Sequence, residues 1–530
     1  MLINIIGAKC IGIEAIPVTV EVDINGGIGI HLVGLADAAV KESLLRTVTA
    51  LQSQGFHIPG KKIVINLAPA DLHKNGSGYD LPIALGIIAA SGQVELPGLG
   101  KYLIMGELGL DATLRAVPGA LPMAELARGL GLDGCIFPEA SAMEATELRD
   151  LPVYGARDLA DVLAILGEKE DCSHLLAGRK APNRTWTEHH TERMDFSEII
   201  GQEGAKRGLE IAACAGHNAL LVGPPGAGKS SLAKALAGIL PPMTLEESLL
   251  TSKIFSVAGK GGDRYGLVRS RPFRAPHYSA SLPAIIGGGN GDNILPGEVS
   301  LATGGLLFLD EFAQMPRAVA EALRGPLEDR KVIISRLRAK IEYPANFMLV
   351  AASNPCPCGY YGEGDRCTCT PAQRQAYLGR LSGPILDRID IQLWLHPVDA
   401  RALVGRAKDQ RRETSAEVAR RVARVRELQR RRFAGEGIMT NAEMNGRQLT
   451  RFCPLTEACR DTMEKIIGSM SLSARAYTRI LKVARTIADL EAVAHALSEG
   501  DDLLPEPGPI EPRHLYEAAG YRFLDRQQLF

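Results

Sequence analysis

No stretch of this 530-residue chain is long and apolar enough to span a bilayer. The longest apolar run, residues 81–90, carries Pro82 and Gly86 and is far short of the ~20 residues a spanning helix needs. Met1-Leu2-Ile3-Asn4 has no basic leader, so no secretory signal is expected and the cytoplasm is the expected address. Neither charge dominates, since the net charge is −1. No repeat of 20–50 residues runs through the chain, which excludes solenoids and propellers. Ten cysteines are too few for a disulfide scaffold of this length, but Cys356, Cys358, Cys367 and Cys369 crowd together, which in a reducing compartment reads as metal binding. Hydrophobic content of 46% and charged content of 23% suit a globular protein, and the length calls for two to four domains.

What is present is a pair of nucleotide motifs. Gly223-Pro224-Pro225-Gly226-Ala227-Gly228-Lys229-Ser230 fits the phosphate loop G-x-x-x-x-G-K-[ST]. It follows the apolar run Ala219–Val222 and precedes a helix-like stretch that starts at Ser231. Glycines let backbone N–H groups turn toward phosphates, and the helix N-terminus adds positive potential. Lys229 is placed to reach the β- and γ-phosphates, and the Ser230 hydroxyl to take a Mg²⁺ position. Downstream, Leu306-Leu307-Phe308-Leu309-Asp310-Glu311 reads as a buried strand ending in two carboxylates, Asp310 for the metal and Glu311 to polarise a water. ATP and Mg²⁺ are the implied ligands.

The rest of the chain organises around these motifs. Residues 1–166 alternate strand and helix patterns, with strands expected at 18–24 and 62–67 and helices at 38–54 and 81–91. Residues 167–194 are polar and aperiodic and read as a linker. Residues 195–397 alternate strands and helices, an α/β pattern with a parallel sheet. Residues 398–530 read as a helical lid, strongest at 414–432 and 472–497. Asn354 ends an apolar strand and, if that strand lies beside the Asp310 strand, faces the γ-phosphate. Arg388 stands between a helix and a strand, as a finger inserted into a neighbouring subunit's site would. Arg475 opens a lid helix and is a candidate γ-phosphate sensor.

The four clustered thiols suit tetrahedral Zn²⁺ in a knuckle over residues 356–369, with an iron–sulfur cluster as the alternative. The set holds no His or carboxylate, so the expected role is structural. The arginines of 414–432 are more simply a wet helix face than a nucleic-acid surface.

The run Asp195-Phe196-Ser197-Glu198-Ile199-Ile200-Gly201-Gln202, the two nucleotide motifs, Asn354, Arg388 and Arg475 together resemble an AAA+ module. Arg271-Pro272-Phe273-Arg274-Ala275-Pro276-His277, Pro296-Gly297-Glu298-Val299-Ser300-Leu301-Ala302 and Asn354-Pro355-Cys356-Pro357-Cys358-Gly359 resemble, more narrowly, the magnesium-chelatase-like AAA+ ATPases of the ComM/YifB group. The resemblance implies a hexameric ATPase that moves DNA, with branch migration in natural transformation the activity of the ComM members. It puts a hairpin at Lys331–Ser335 and 339–343 into a ring channel, where Lys331, Arg336, Arg338 and Lys340 would meet DNA phosphates. It makes 252–292, with Arg271 and Arg274, a second basic insertion near DNA.

His73-Lys74-Asn75-Gly76-Ser77-Gly78-Tyr79-Asp80 and Gly106-Glu107-Leu108-Gly109-Leu110 resemble the Lon-protease-like (ribosomal S5 domain 2-like) α+β fold. Aligned so, the protease nucleophile position falls on Gly78, not Ser77, and no lysine counterpart is found. Rival readings are an ATP-driven protease and a chelatase-type remodeller that acts on a tetrapyrrole.

Overall fold

The computed structural model describes residues 2–148, 150–169, 171–179, 194–261, 266–289, 294–335, 340–381, 383–397, 412–500 and 503–525. Arg336, Arg338, most of the expected linker and the start of the expected lid lie outside the described residues.

The N-terminal unit is a seven-stranded sheet whose core is the antiparallel run Ile3–Ile11, Glu14–Asn25 and Lys62–Ala68. Alternation makes this possible: in Lys62–Ala68 every second side chain, Ile63, Ile65 and Leu67, is buried. The helix Asp80–Ala90 is apolar all round and lies on the sheet. It can lie that close because Gly86 faces Val22, where a Cβ would come within 2.4 Å of a methyl carbon. Residues 171–179, polar enough to read as linker, instead pack on this unit, with Leu175 and Ala177 buried and Leu176 bridged to Tyr154.

The second unit carries a five-stranded, all-parallel sheet. Its order is Phe273–Arg274, Leu306–Leu309, Met348–Ser353, Ala219–Val222 and Ile391–Trp394. The phosphate-loop strand is therefore interior, flanked by the central Asn354 strand and an edge strand. The Asn354 strand in turn pairs with the acidic strand, as the assigned role of Asn354 requires. The helices Ser415–Arg432, Glu457–Met470, Ala474–Ser498 and Pro512–Gly520 share one apolar core with this sheet. Among the described residues no helix is long and apolar enough to cross a membrane.

The two units are in contact. Lys253, on the helix Leu245–Val257, bridges to Glu125 at 2.5 Å and to Glu14 at 3.4 Å, and Arg269 bridges to Glu147 at 2.8 Å. Glu144 is buried at this seam, with one carboxylate oxygen lacking a partner among the described residues. Burial raises its pKa from 4.5 to about 7, against a partial pull from Ser256. A carboxyl raised in this way favours the folded state most below 4.5 and loses that contribution as pH climbs through about 7. The expected result is that Glu144→Gln is more stable than the parent above pH 7, by up to about 3 kcal/mol, with a flatter profile of thermal unfolding against pH. Parallel profiles for the two proteins would remove Glu144 from the seam's energetics.

Candidate active site and metal centre

The phosphate loop wraps the carboxyl end of its strand because glycines supply the turns: Gly226 and Gly228 take φ of +79° and +87°. A helix starts directly at Lys229. The Lys229 ammonium folds back on the loop and donates to the carbonyls of Gly223 (2.6 Å) and Pro224 (3.0 Å) and to Asn354 Oδ1 (3.0 Å). Burial lowers its pKa, with Asp310 and Glu311 opposing. Ser230 donates to Asp310 Oδ2 at 2.9 Å, so both expected Mg²⁺ ligands already share one point. Ser231 follows on the same helix. Glu311 sits in the left-handed region at φ +49°, a cost of about 1–3 kcal/mol for such a residue. Asn354, Lys229, Ser230, Asp310 and Glu311 thus gather at the carboxyl end of the parallel sheet, where such folds bind ligands.

Sequence reasoning left two contributors elsewhere. His277 and Tyr278 line a cavity of about 340 Å³ with Ser230, Lys234, Asp310 and Glu311, on the carboxylate side of the loop. The signal was the segment Arg271–His277, read above as a family motif and as part of a basic insertion but not as part of the nucleotide site. Gln202, at φ +61°, ties the loop to the end of the edge strand by donating to the Ala227 and His396 carbonyls at 3.2 and 2.6 Å.

Arg388 and Arg475 are not in this cluster. Asn218, just before the phosphate-loop strand, donates to the Arg388 carbonyl at 3.0 Å. Arg388 is therefore at the amino ends of the strands, roughly 16 Å from the phosphate loop at 3.3 Å per residue. Its guanidinium is 5% exposed, held by Glu328 and by the Pro384 carbonyl at 2.6 Å, with Nε unpartnered. Arg475 pairs with Asp387 at 3.2 Å on the same face and is 61% exposed. Within this chain Arg475 stands away from the phosphate loop, because the lid helix that carries it is anchored at the opposite end of the sheet. That anchor is Asp390, bound by Arg479 (3.0 Å) and His217 (3.2 Å), with His217 also reaching Thr486 at 2.9 Å. Burial alone would raise the Asp390 pKa. Arg479 and His217 overcome it and hold the carboxyl well below the usual carboxylate range.

The four cysteines converge. Cys356 Sγ lies 3.3 Å from Cys358 and 3.8 Å from Cys367, Cys358 lies 3.7 Å from Cys367, and all four sulfurs fall within 4.8 Å of one another. Tetrahedral zinc with ~2.3 Å bonds sets sulfurs ~3.8 Å apart, so the donor set fits a closed structural site. The knuckle rests on the phosphate loop. Gly359, at φ +87°, packs so tightly on Pro225 that a Cβ would sit 2.9 Å from its ring.

The expected basic surfaces fare unequally. The strands Lys331–Ser335 and Lys340–Pro344 do form a hairpin, with Val332, Ile334, Ile341 and Tyr343 packed inward and Lys331 and Lys340 outward. Lys331 is answered by Glu342 at 3.1 Å. Arg271 and Arg274 belong to no free basic surface. Arg271 is spent on Glu247 (3.0 Å) and the Pro241 and Gly304 carbonyls, and Arg274 grips Glu298 with two bonds. Glutamates 24 residues away in the chain claim them, which spacing does not reveal. In the helix Ser415–Arg432, Arg421 and Arg432 are likewise bound to Glu210 and Asp489. Ser77 bonds to Glu107, and Lys74 is buried against the Pro69 carbonyl.

Comparison with known proteins agrees along the whole chain. Three family descriptions match: "Magnesium chelatase, subunit ChlI" over residues 195–403, "Subunit ChlI of Mg-chelatase" over 20–141 and "Magnesium chelatase, subunit ChlI C-terminal" over 412–499. The chain is 43% identical over 516 residues to the competence protein ComM of Haemophilus influenzae, covering 97% of this chain and 96% of that one. It is 42% identical over 517 residues, with the same coverage, to the uncharacterized protein YifB of Salmonella typhimurium. A shorter likeness, 23% over 150 residues, covers 28% of this chain and 23% of an archaeal Lon protease of Methanocaldococcus jannaschii. On the strength of the full-length identity and the site geometry together, the chain belongs to the magnesium-chelatase-like proteins of the ComM/YifB group, with an AAA+-type ATPase module.

Proposed function

We propose that this protein assembles into a ring, a hexamer on the resemblance, and uses ATP hydrolysis to translocate DNA, as a branch-migration helicase in recombination and natural transformation. The observation that carries the reading is the split between the two ends of one sheet. The phosphate-binding and carboxylate groups stand at the carboxyl ends, and Arg388 and Arg475 at the amino ends. Two halves of a phosphoryl-transfer site that cannot meet within a chain can meet between chains. The relative ComM, a competence protein by name, supports the DNA substrate.

In this reading Gly223, Pro224, Pro225, Gly226, Ala227, Gly228 and Ser231 form the phosphate cradle. Lys229 exchanges its carbonyl partners for β- and γ-phosphate oxygens, which releases Asn354 to orient the attacking water. Ser230 and Asp310 hold Mg²⁺, which neutralises charge on the phosphates. Glu311 accepts the water's proton. Arg388 leaves Glu328 to meet a neighbour's γ-phosphate, with Arg475 beside it. The hairpin residues Lys331 and Lys340, continued by Arg336 and Arg338, run along DNA phosphates. The N-terminal domain, residues 1–166, helps form the ring without peptidase chemistry, since the Lon-type nucleophile position falls on Gly78 and no lysine counterpart is found.

Turnover of ATP measured with forked duplex, single strands, porphyrin or unfolded protein tests this. Stimulation several-fold by the branched or single-stranded DNA is the expected result. Stimulation by porphyrin alone would favour the remodelling reading, which the family description keeps open, and proteolysis of the unfolded protein would favour the protease.

Cys356, Cys358, Cys367 and Cys369 hold one structural Zn²⁺ per chain. Elemental analysis of the double variant Cys356→Ser/Cys358→Ser is expected to find that zinc gone and nucleotide binding weakened through the Gly359–Pro225 contact. Iron with acid-labile sulfide in the parent would replace zinc by a cluster, and unchanged metal content in the variant would discard the site.

A further inference from the structure

A cavity of about 590 Å³ lies between the amino ends of the ATPase sheet and the lid, well away from the phosphate loop. That volume is within the range of about 300–1,000 Å³ typical of small-molecule sites. Five cations line it, Arg271, Arg330, Arg426, Arg479 and Lys482. Three are matched by carboxylates: Arg271 by Glu247 at 3.0 Å, Arg330 by Glu443 at 2.5 Å and Arg479 by Asp390 at 3.0 Å. Two are not. Among the described residues Arg426 donates only through Nε, to the Ala213 carbonyl at 3.1 Å. Lys482 donates to the Ala442 carbonyl at 2.9 Å. A guanidinium has five N–H donors and an ammonium three, so both retain unused donors.

The two groups come from different helices, Ser415–Arg432 and Ala474–Ser498, and converge on the Arg330–Glu443 pair. Arg426 is within the field of Glu443, and Lys482 within that of Arg330. Other charges facing Arg426 are Arg271 and Glu247, and those facing Lys482 are Arg479 and Asp390, the latter already claimed by Arg479 and His217. Burial pushes Arg426 down to about 10, with Arg271 adding to it, and pushes Lys482 down to about 8, with Arg479 adding to it. Both are still charged at neutral pH. Arg426 is half-buried and Lys482 buried, and neither forms an ion pair with the carboxylates of the wall, Glu246, Glu247, Glu328, Asp390 and Glu443, among the described residues, so a bound anion would supply the direct contact they lack.

We propose that this cavity is a second ligand site, selective for a small anion bearing two or more phosphate charges, held by Arg426 and Lys482. Phosphate suits the pair: its oxygens match the guanidinium fork and accept from the lysine as a point charge. Because the wall includes Asp390 and Arg479, which tie lid to sheet, occupancy bridges those two bodies. The shared chemistry has two sources, free pyrophosphate or a nucleotide diphosphate, and the test separates them.

Binding of pyrophosphate and of ADP is measured calorimetrically on the full chain carrying Lys229→Ala, which disables the phosphate loop. One pyrophosphate per chain is expected to survive that change. Adding Arg426→Gln or Lys482→Gln is expected to weaken it at least tenfold, whereas Arg426→Lys and Lys482→Arg, which keep the charge, retain binding within a few-fold. ADP binding in parallel with pyrophosphate identifies a nucleotide as the natural occupant, and pyrophosphate alone identifies a free phosphate. Circular dichroism checks that each variant is folded. If a glutamine variant is not, protection of Lys482 from acylation by added pyrophosphate in the Lys229→Ala chain reads the same site. Loss of all pyrophosphate binding with Lys229→Ala, equal affinity in the glutamine variants, or no protection of Lys482 overturns the proposal.

Discussion

Glu311→Gln is expected to bind ATP as the parent does and to turn it over roughly 10²–10⁴-fold more slowly, the usual range for removing a general base. The amide keeps the size of the carboxylate but cannot take a proton from water. Lys229, Ser230 and Asp310 are untouched by the change, so nucleotide affinity should move little. The left-handed backbone at Glu311 is a second reason to choose glutamine, because it leaves Cβ and the conformation alone. Single-turnover hydrolysis and a filter-binding assay for ATP separate the two effects. Turnover within a few-fold of the parent would show that another group activates the water, and His277, which lines the same cavity, would be the first to examine.

Arg388→Ala is expected to lose turnover by roughly 10³–10⁵-fold, the range for arginines inserted in trans. Lys229→Ala is expected to be equally inactive. The informative experiment mixes the two inactive proteins. At some subunit boundaries an intact phosphate loop from the Arg388→Ala chain then meets an intact arginine from the Lys229→Ala chain, and turnover should return. Mixed assemblies that stay inactive would sink the trans assignment. Arg388 also supports the fold, through Glu328 and the Pro384 carbonyl, so loss of activity alone is ambiguous. Thermal unfolding of Arg388→Ala and Arg388→Lys distinguishes the roles. A structural arginine costs stability in both chains and gives no recovery on mixing. Glu328 is 58% exposed while Arg388 is 5% exposed, so Arg388 has to leave its buried position to reach a partner.

Local chemistry was legible in the sequence wherever one short segment carries it. The phosphate loop, the Asp310–Glu311 strand end and the four cysteines each lie within a few residues, and the observed strand Ala219–Val222 and helix Lys229–Ile239 stand where the motif demands. The hairpin Lys331–Ser335/Lys340–Pro344 was equally readable, since alternating apolar residues on both sides of a turn leave one register that buries them all. What the sequence did not show is how the charges pair. Arg271, Arg274, Lys253 and Arg269 look like a basic insertion, yet each is answered by Glu247, Glu298, Glu125 or Glu147. Those carboxylates are as much as 128 residues away in the chain, as in Glu125 to Lys253, and no periodicity announces them.

The sequence by itself located the phosphate-loop and acidic-strand motifs, because backbone turns, a lysine and two carboxylates act over distances that a few bonded residues span. Only the tertiary structure decided which end of the sheet each arginine occupies, that the cysteine knuckle rests on the phosphate loop, and that a cavity lined by Arg426 and Lys482 lies between sheet and lid. Those facts depend on strand order and helix docking, which are set by the burial of apolar faces from segments far apart in the chain and leave no local mark.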